Sequence, residues 1–429
     1  MFELLGSRLG LSFITIVFTF ALSIFLVKKY HLSKYQVFIF ILLVLFWSSI
    51  IIVREYRKAY AIASLDIGGL GLDAILASEM AAAYGLISIF VRLPIFAFSD
   101  FFKSRKFMIA LALAFIMGSS IMVGINPNYE SLYVSSLALG IGASMLSLFN
   151  VLFSETFTLQ QALMSVSILS VAPLLAEFLT SPLQYFVTSG AIKNYNLMWR
   201  MSAALAGVAL VFLMFIKDNK EKIRVFTVSK FKQILTDKRF LVLCLLGVVV
   251  SFIRFASSNS NSVVYATAIK SGPLMVAYIS TTFSVFQLVA GVLVGIYLKQ
   301  KIGVKNTMIL GLSLSAIYTL VSGFSSNATL YFILTGLNGF GYGLTYNVLL
   351  GMAMQPFKKD LREISMGIYQ TFFAIGIFYG DKIYALIKPK GSTVADYQGV
   401  FIIITWVSVA TIVFVMLVFN RRNKAFLEA

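Results

Sequence analysis

The sequence predicts an all-α polytopic membrane protein: two six-helix repeats plus an additional N-terminal transmembrane helix. Three observations predict it. First, of 429 residues 59% are hydrophobic and only 12% are charged, against about 25% charge in a soluble domain. That leaves too little polar surface for a water-soluble fold, and it excludes a soluble enzyme, a disordered chain and a disulfide scaffold. Second, the apolar residues fall in continuous runs of about 18–25, the length that crosses a bilayer as a helix, without the alternation of a membrane barrel. Third, the net charge of +18 is gathered in short segments between those runs, as in cytoplasmic loops. No basic segment is interleaved with aromatics on a soluble face, so nucleic-acid binding is not expected. The single Cys244 makes no internal disulfide.

Thirteen runs follow in order: 10–27, 36–61, 77–98, 107–125, 131–153, 163–188, 199–216, 240–265, 274–298, 307–325, 329–354, 364–388 and 398–420. The first lacks a small-residue cleavage pattern and is followed directly by Lys28 and Lys29, so it reads as a retained helix rather than a signal peptide. One set of alternate connecting segments, from Lys28 to Lys424, holds 23 Lys and Arg; the other holds six, namely Arg8, Lys193, Arg200, Lys270, Lys388 and Lys390. The richer set belongs in the cytoplasm. The C-terminus is then cytoplasmic, an odd helix count puts the N-terminus outside, and the chain is expected as a multi-pass protein of the plasma membrane.

The longest hydrophilic stretch sets the organisation. Residues 1–35 are the additional helix and a basic linker, 36–216 a first six-helix half, 217–239 a basic cytoplasmic loop, and 240–429 a second half with a cytoplasmic tail. Within the loop, 228–235 has the pattern of a short amphipathic helix. The second helix of each half ends alike, in Asp100-Phe101-Phe102-Lys103-Ser104-Arg105-Lys106 and in Leu298-Lys299-Gln300-Lys301, an echo of the kind internal repeats leave.

This organisation resembles the major facilitator superfamily. Asp100, Arg105 and Lys106 resemble that family's loop between helices 2 and 3, where an acid and a basic pair hold the cytoplasmic helix ends together. Arg57-Lys58-Ala59-Tyr60-Ala61-Ile62-Ala63 resembles a stretch in the first family helix of the organophosphate:inorganic phosphate antiporters. Arg92, Phe252-Ile253-Arg254-Phe255 and Gly339-Phe340-Gly341-Tyr342-Gly343 with Pro356 and Lys358 resemble that subfamily's segments in helices 2, 7 and 10. The resemblance spans residues 36–425. It implies exchange of glycerol-3-phosphate or hexose-6-phosphate for phosphate by alternating access, with Arg57, Arg92 and Arg254 binding substrate. Two features depart from it: the additional first helix, and Ser165–Val171 where the subfamily often has a histidine. The only histidine, His31, lies in a basic segment.

The embedded charges point the same way on physical grounds. A mid-membrane Arg costs about 2.5–3.5 kcal/mol, so each must face a cavity or a partner. Arg92 comes from the first half and Arg254 from the second; two cations facing across the repeat interface make a midplane anion site. Arg suits phosphate because its planar fork donates paired hydrogen bonds and stays charged in an apolar wall. Arg57 falls near the outer end of its helix, and Arg54, one turn below, is the alternative for its role; the competing reading is an exposed helix end with Glu55 pairing Arg54 or Lys58. Glu177 either pairs a binding-site Arg, carries a proton or makes a helix-packing hydrogen bond. Asp381 and Lys382 read as a local ion pair. Tyr60, Tyr346 and Asn347 are further candidates for substrate hydrogen bonds, against packing roles.

No phosphate-cradling Gly-rich loop ending in Gly-Lys-Ser/Thr and no His/Cys cluster is present in the sequence, so neither ATP nor a metal or other cofactor is expected. A solute or ion gradient is then the energy source. The expected function is secondary transport of a small organic phosphate ester in exchange for inorganic phosphate, by one chain in the bilayer, without enzymatic chemistry. The rivals are a proton-coupled exporter of drugs or other organic anions with Glu177 as proton carrier, and a non-transporting receptor or scaffold.

Overall fold

The structure is a computed structural model that describes residues 8–157, 168–169, 171–217, 228–355, 357, 359–387 and 393–419. Ser165–Ser167, most of the central loop, Pro356, Lys358, Lys388, Lys390 and the basic tail lie outside the described residues. Helices account for each apolar run in turn. They are α1 (Arg8–Lys29), α2 (Lys34–Arg54), α3 (Arg57–Ile62), α4 (Ala74–Val91), α5 (Pro94–Phe102), α6 (Arg105–Ile125), α7 (Tyr129–Ser144), α8 (Leu146–Ser154) and α9 (Ala172–Thr188). They continue as α10 (Tyr195–Met214), the amphipathic α11 (Val228–Leu235), α12 (Lys238–Ser257), α13 (Ser260–Ala268), α14 (Pro273–Leu293), α15 (Gly303–Phe324), α16 (Ala328–Met354), α17 (Lys359–Ile387) and α18 (Val394–Val418). Among the described residues, ten helical stretches are long and apolar enough to cross a membrane.

Polar residues set the helix starts. Ser33, Asp73, Ser104, Asn128, Asn194, Asp237, Asn327 and Thr393 each accept a hydrogen bond from a first-turn N–H, which satisfies donors that a helix leaves open. Asn327, part of an Asn-Ala-Thr triplet, acts here as a cap.

Several spans are broken, and the breaks position the charged residues. α2 stops at Arg54 and restarts as α3 at Arg57. α12 stops at Ser257 and restarts as α13 at Ser260, through Asn259 at φ 53°. α4 gives way to α5 beside Pro94, whose ring disfavours a continuous helix. The first spans of residues 36–216 and of 240–429 thus break at matching depths, after 21 and 20 residues. Irregular backbone of this kind is tolerated inside a membrane where protein or a cavity surrounds it.

α17 packs between α4 and α12, α9 against α2 and α14, and α3 against α13. The α4–α17, α9–α14 and α3–α13 contacts form a seam between residues 36–216 and 240–429. α1 lies outside this seam on α9, where Phe18 meets Phe178 edge-on at 5.7 Å and Thr15 shares a hydrogen bond of 3.1 Å with Tyr278 of α14. It therefore touches both sides.

Glycines let α17 approach its neighbours. A Cβ on Gly376 would stand 2.1 Å from the Val248 carbonyl oxygen of α12, and one on Gly85 would stand 2.4 Å from the Phe378 nitrogen of α17. Backbone cannot yield as a flexible side chain does. Gly376→Ala is expected to destabilise the protein by about 1–3 kcal/mol, read as a lower unfolding midpoint in detergent. Gly351→Ala, with nothing within 4 Å, should not. Equal midpoints for the two variants would contradict this packing.

Candidate functional site

The cations embedded in the sequence sit at helix ends. Arg54 is in the last turn of α2, Arg92 caps the C-terminus of α4, and Arg254 is in the last turn of α12. Carbonyls at a helix C-terminus carry partial negative charge and favour a cation there. The breaks therefore supply a reason why these three cations are tolerated; Arg57 and Lys58, in the first turn of α3, rely on other partners.

At one end of the seam, Arg57 Nη2 of α3 donates to Asp381 Oδ2 of α17 at 3.2 Å and to the Ala81 carbonyl of α4 at 3.0 Å. Asp381 Oδ1 also accepts from Ser260 Oγ at 3.3 Å and Asn261 Nδ2 at 3.4 Å. Lys58 Nζ donates to Asn261 Oδ1 at 2.6 Å and lies 4.2 Å from the Tyr384 ring centroid. This corrects one competing reading and one expectation. The Arg54–Lys58 stretch is not an exposed helix end: Arg57 is 3% exposed and Lys58 1%. Asp381 pairs with Arg57, not with Lys382, because successive helical residues project about 100° apart. Glu55 does pair with Arg54, at 3.2 Å.

Deeper in the seam, Arg92 Nη1 donates to the Gln370 side-chain oxygen at 2.7 Å and its main-chain oxygen at 3.0 Å. Gln370 Nε2 donates to the Tyr346 hydroxyl at 3.1 Å. Tyr346 stacks on Tyr342 at 5.3 Å, and the Arg254 guanidinium lies 4.4 Å from the Tyr342 centroid. Arg92 and Arg254 are therefore joined through three intervening side chains rather than facing each other directly. Arg254 also lies against the rings of Phe283 and Phe255, at 4.9 and 5.5 Å. Through Phe255 and Tyr84 the contacts run on to Arg57, which lies 5.0 Å from the Tyr84 centroid.

Glu177 of α9, 5% exposed, lines a small cavity with Arg254, Ser258, Ser262 and Ser284. The cavity volume is about 10 Å³, room for one water at most. At this cavity the seam holds no guest larger than water. Its charges do not balance. Among the described residues the cluster holds the cations Arg54, Arg57, Lys58, Arg92 and Arg254 against the acids Glu55, Glu177 and Asp381, which leaves two cations in excess. Buried N–H groups on Arg54, Arg57, Arg92 and Arg254 have no hydrogen-bond partner among the described residues, nor does Glu177 Oε2. Such donors stay costly until something accepts from them, and such an oxygen until something donates to it.

The other predicted residues lie elsewhere. Tyr60 packs on Tyr195 and Trp199 of α10, at 5.3 and 5.1 Å. Asn347 donates to Gly343 of its own helix at 2.7 Å. Lys382 lines a separate cleft with Glu79. Asp100 lies on α5. Arg105 pairs with Glu155 at 2.7 Å, and Lys106 Nζ donates to the carbonyls of Met214 and Ile216 at the end of α10, at 2.7 and 3.0 Å. The basic pair thus ties neighbouring helix ends together. Sequence reading missed Gln370 and Glu155; a lone Gln within an apolar run was the available signal for Gln370.

A profile of the Major Facilitator Superfamily matches residues 57–380 and 243–426. No curated protein matches the chain in sequence. In fold the chain is similar to the peptide transporter POT in complex with sulfate (TM-score 0.73, 15% identity, 92% of this chain and 96% of that one). It is also similar to the nucleoside transporter NupG (TM-score 0.69, 13% identity, 90% and 100%) and to a D-xylose-proton symporter (TM-score 0.68, 13% identity, 89% and 96%).

Proposed function

The chain belongs to the major facilitator superfamily, and we propose that it is a secondary active transporter that carries a small organic phosphate ester, a sugar phosphate or glycerol phosphate, in exchange for inorganic phosphate. The observation that carries this reading is the excess of seam cations whose buried N–H groups lack acceptors among the described residues. A phosphate group accepts from several guanidinium donors at once and neutralises the excess. Arg92 and Arg254 are the principal ligands; Arg57 and Arg54 assist with the donors that their acid partners leave free. The closed cavity admits cargo only when the α4–α17 or α9–α14 contacts part. Bound anion then lowers the cost of bringing the cations back together, which couples cargo to alternating access. One chain contains every group this mechanism uses.

The test is exchange in proteoliposomes. Labelled phosphate should enter vesicles loaded with phosphate or glycerol-3-phosphate and should not enter empty ones. Glu177, with one carboxylate oxygen lacking a partner among the described residues, favours a second reading, proton-coupled export of organic anions. Under that reading a proton gradient, not internal phosphate, drives flux. No flux under either condition supports a receptor or scaffold.

Orientation has its own prediction. In a Cys244→Ala background, Glu3→Cys should label from outside the cell and Leu427→Cys only after permeabilisation. Labelling of both from one side contradicts thirteen crossings.

A further inference from the structure

A second cavity, of about 330 Å³, lies away from the seam cluster in a cleft between α4, α7 and α17. That volume falls within the range of small-ligand sites. Glu79 stands on its α4 wall and Lys382 on its α17 wall, yet among the described residues the two form no ion pair. Lys382 Nζ instead lies 5.3 Å from the Phe378 ring centroid. Tyr129, the first residue of α7, and Tyr133 complete the polar end, with their rings 5.9 Å apart.

The cleft has a direction. Glu79, Lys382 and Tyr129 lie near the helix ends. Leu86, seven residues along α4, lies about 10 Å deeper, and Phe378 lies one turn below Lys382. It also opens sideways. Leu76 and Phe90 share the helical stripe of Glu79 and are 39% and 64% exposed; Leu386, one turn past Lys382, is 64% exposed. In a membrane-spanning chain such a stripe faces hydrocarbon. A carboxylate and an ammonium on a lipid-facing wall are costly without a partner, and the partner that reaches them from the side carries both charges above an apolar tail.

We propose that this cleft is a binding site for a phospholipid whose headgroup carries a primary ammonium and a phosphate. Glu79 accepts from the ammonium, Lys382 and the Tyr129 hydroxyl donate to the phosphate, and an acyl chain lies along Leu86 and Phe378. The site is independent of the transport reading.

Native mass spectrometry of the detergent-purified full chain tests it, with equimolar phosphatidylethanolamine, phosphatidylcholine and phosphatidylglycerol bearing identical acyl chains. Wild type should retain phosphatidylethanolamine about tenfold over the other two, the scale of one charge-assisted contact. Glu79→Gln should reduce it to the level of phosphatidylcholine, which offers no ammonium N–H. Lys382→Gln should lower retention of all three. Ala83→Phe, which fills the cleft without altering charge, should remove retention in protein that elutes as wild type does. The proposal is overturned by equal retention of the three lipids in wild type, by undiminished phosphatidylethanolamine in Ala83→Phe, or by its displacement by an equal concentration of free phosphoethanolamine, which would assign the site to a soluble zwitterion.

Discussion

Arg254→Gln and Arg92→Gln are each expected to abolish phosphate exchange while the protein remains folded in the membrane. Arg254 is wrapped by three aromatic rings, the nearest centroid 4.4 Å away, and has a buried Nε without a partner among the described residues. Arg92 is held by Gln370 and has a second unpartnered N–H. Removing either leaves a phosphate under-neutralised at low dielectric, at a cost of about 2–5 kcal/mol. That corresponds to roughly 30-fold to several-thousand-fold in affinity. Lys should rescue only partly, because a point charge does not reproduce the guanidinium fork. The competing role for Arg254 is to balance Glu177, which lines the same cavity. In that case Arg254→Gln combined with Glu177→Gln restores exchange; an anion site predicts that it does not. Arg92 has no acid within ion-pairing distance among the described residues, so wild-type exchange in Arg92→Gln would reduce it to a packing role.

The second large effect belongs to the Arg57–Asp381 pair. Both side chains are almost fully buried, at 3% and 1% exposure. Breaking such a pair from one side costs about 3–5 kcal/mol, because the remaining charge is left uncompensated. Asp381→Asn should be the more damaging variant: it leaves Arg57 without its paired acid, and it weakens the contacts of Ser260 and Asn261. Folded yield should fall sharply in either single variant. The matched Arg57→Gln and Asp381→Asn combination should recover yield, since a neutral pair of similar size costs little. Exchange should recover less than yield, because Arg57 also offers donors to the anion. Wild-type yield and exchange in Asp381→Asn would show that the pair holds nothing.

Much of the fold is legible in the residues. Continuous apolar runs mark the spans, and polar residues mark the breaks: α2 gives way to α3 within Arg54–Lys58 and α12 to α13 within Ser257–Ser262, while Pro94 follows α4. Each interruption places unsatisfied backbone beside residues able to satisfy it. The partners of the embedded charges are not legible in the same way. Arg57 and Asp381 are 324 residues apart, and Arg92 and Gln370 are 278 apart; no local period encodes which face of α17 meets α3 or α4. Adjacency along the chain misleads at Asp381 and Lys382, where one residue turns into the seam and the next into the lateral cleft. Tyr60 and Asn347 carry groups suited to substrate, but packing against α10 and hydrogen bonding within α16 occupy them.

Direct binding is the most decisive measurement. In isothermal titration of the purified full chain, inorganic phosphate and glycerol-3-phosphate should give saturable heats and glycerol none. Arg92→Gln with Arg254→Gln should remove both heats without changing the unfolding midpoint by more than a few degrees. Phosphate binding of unchanged affinity in that double variant, or no phosphate binding by the wild-type protein, would contradict an anion site built from these two arginines.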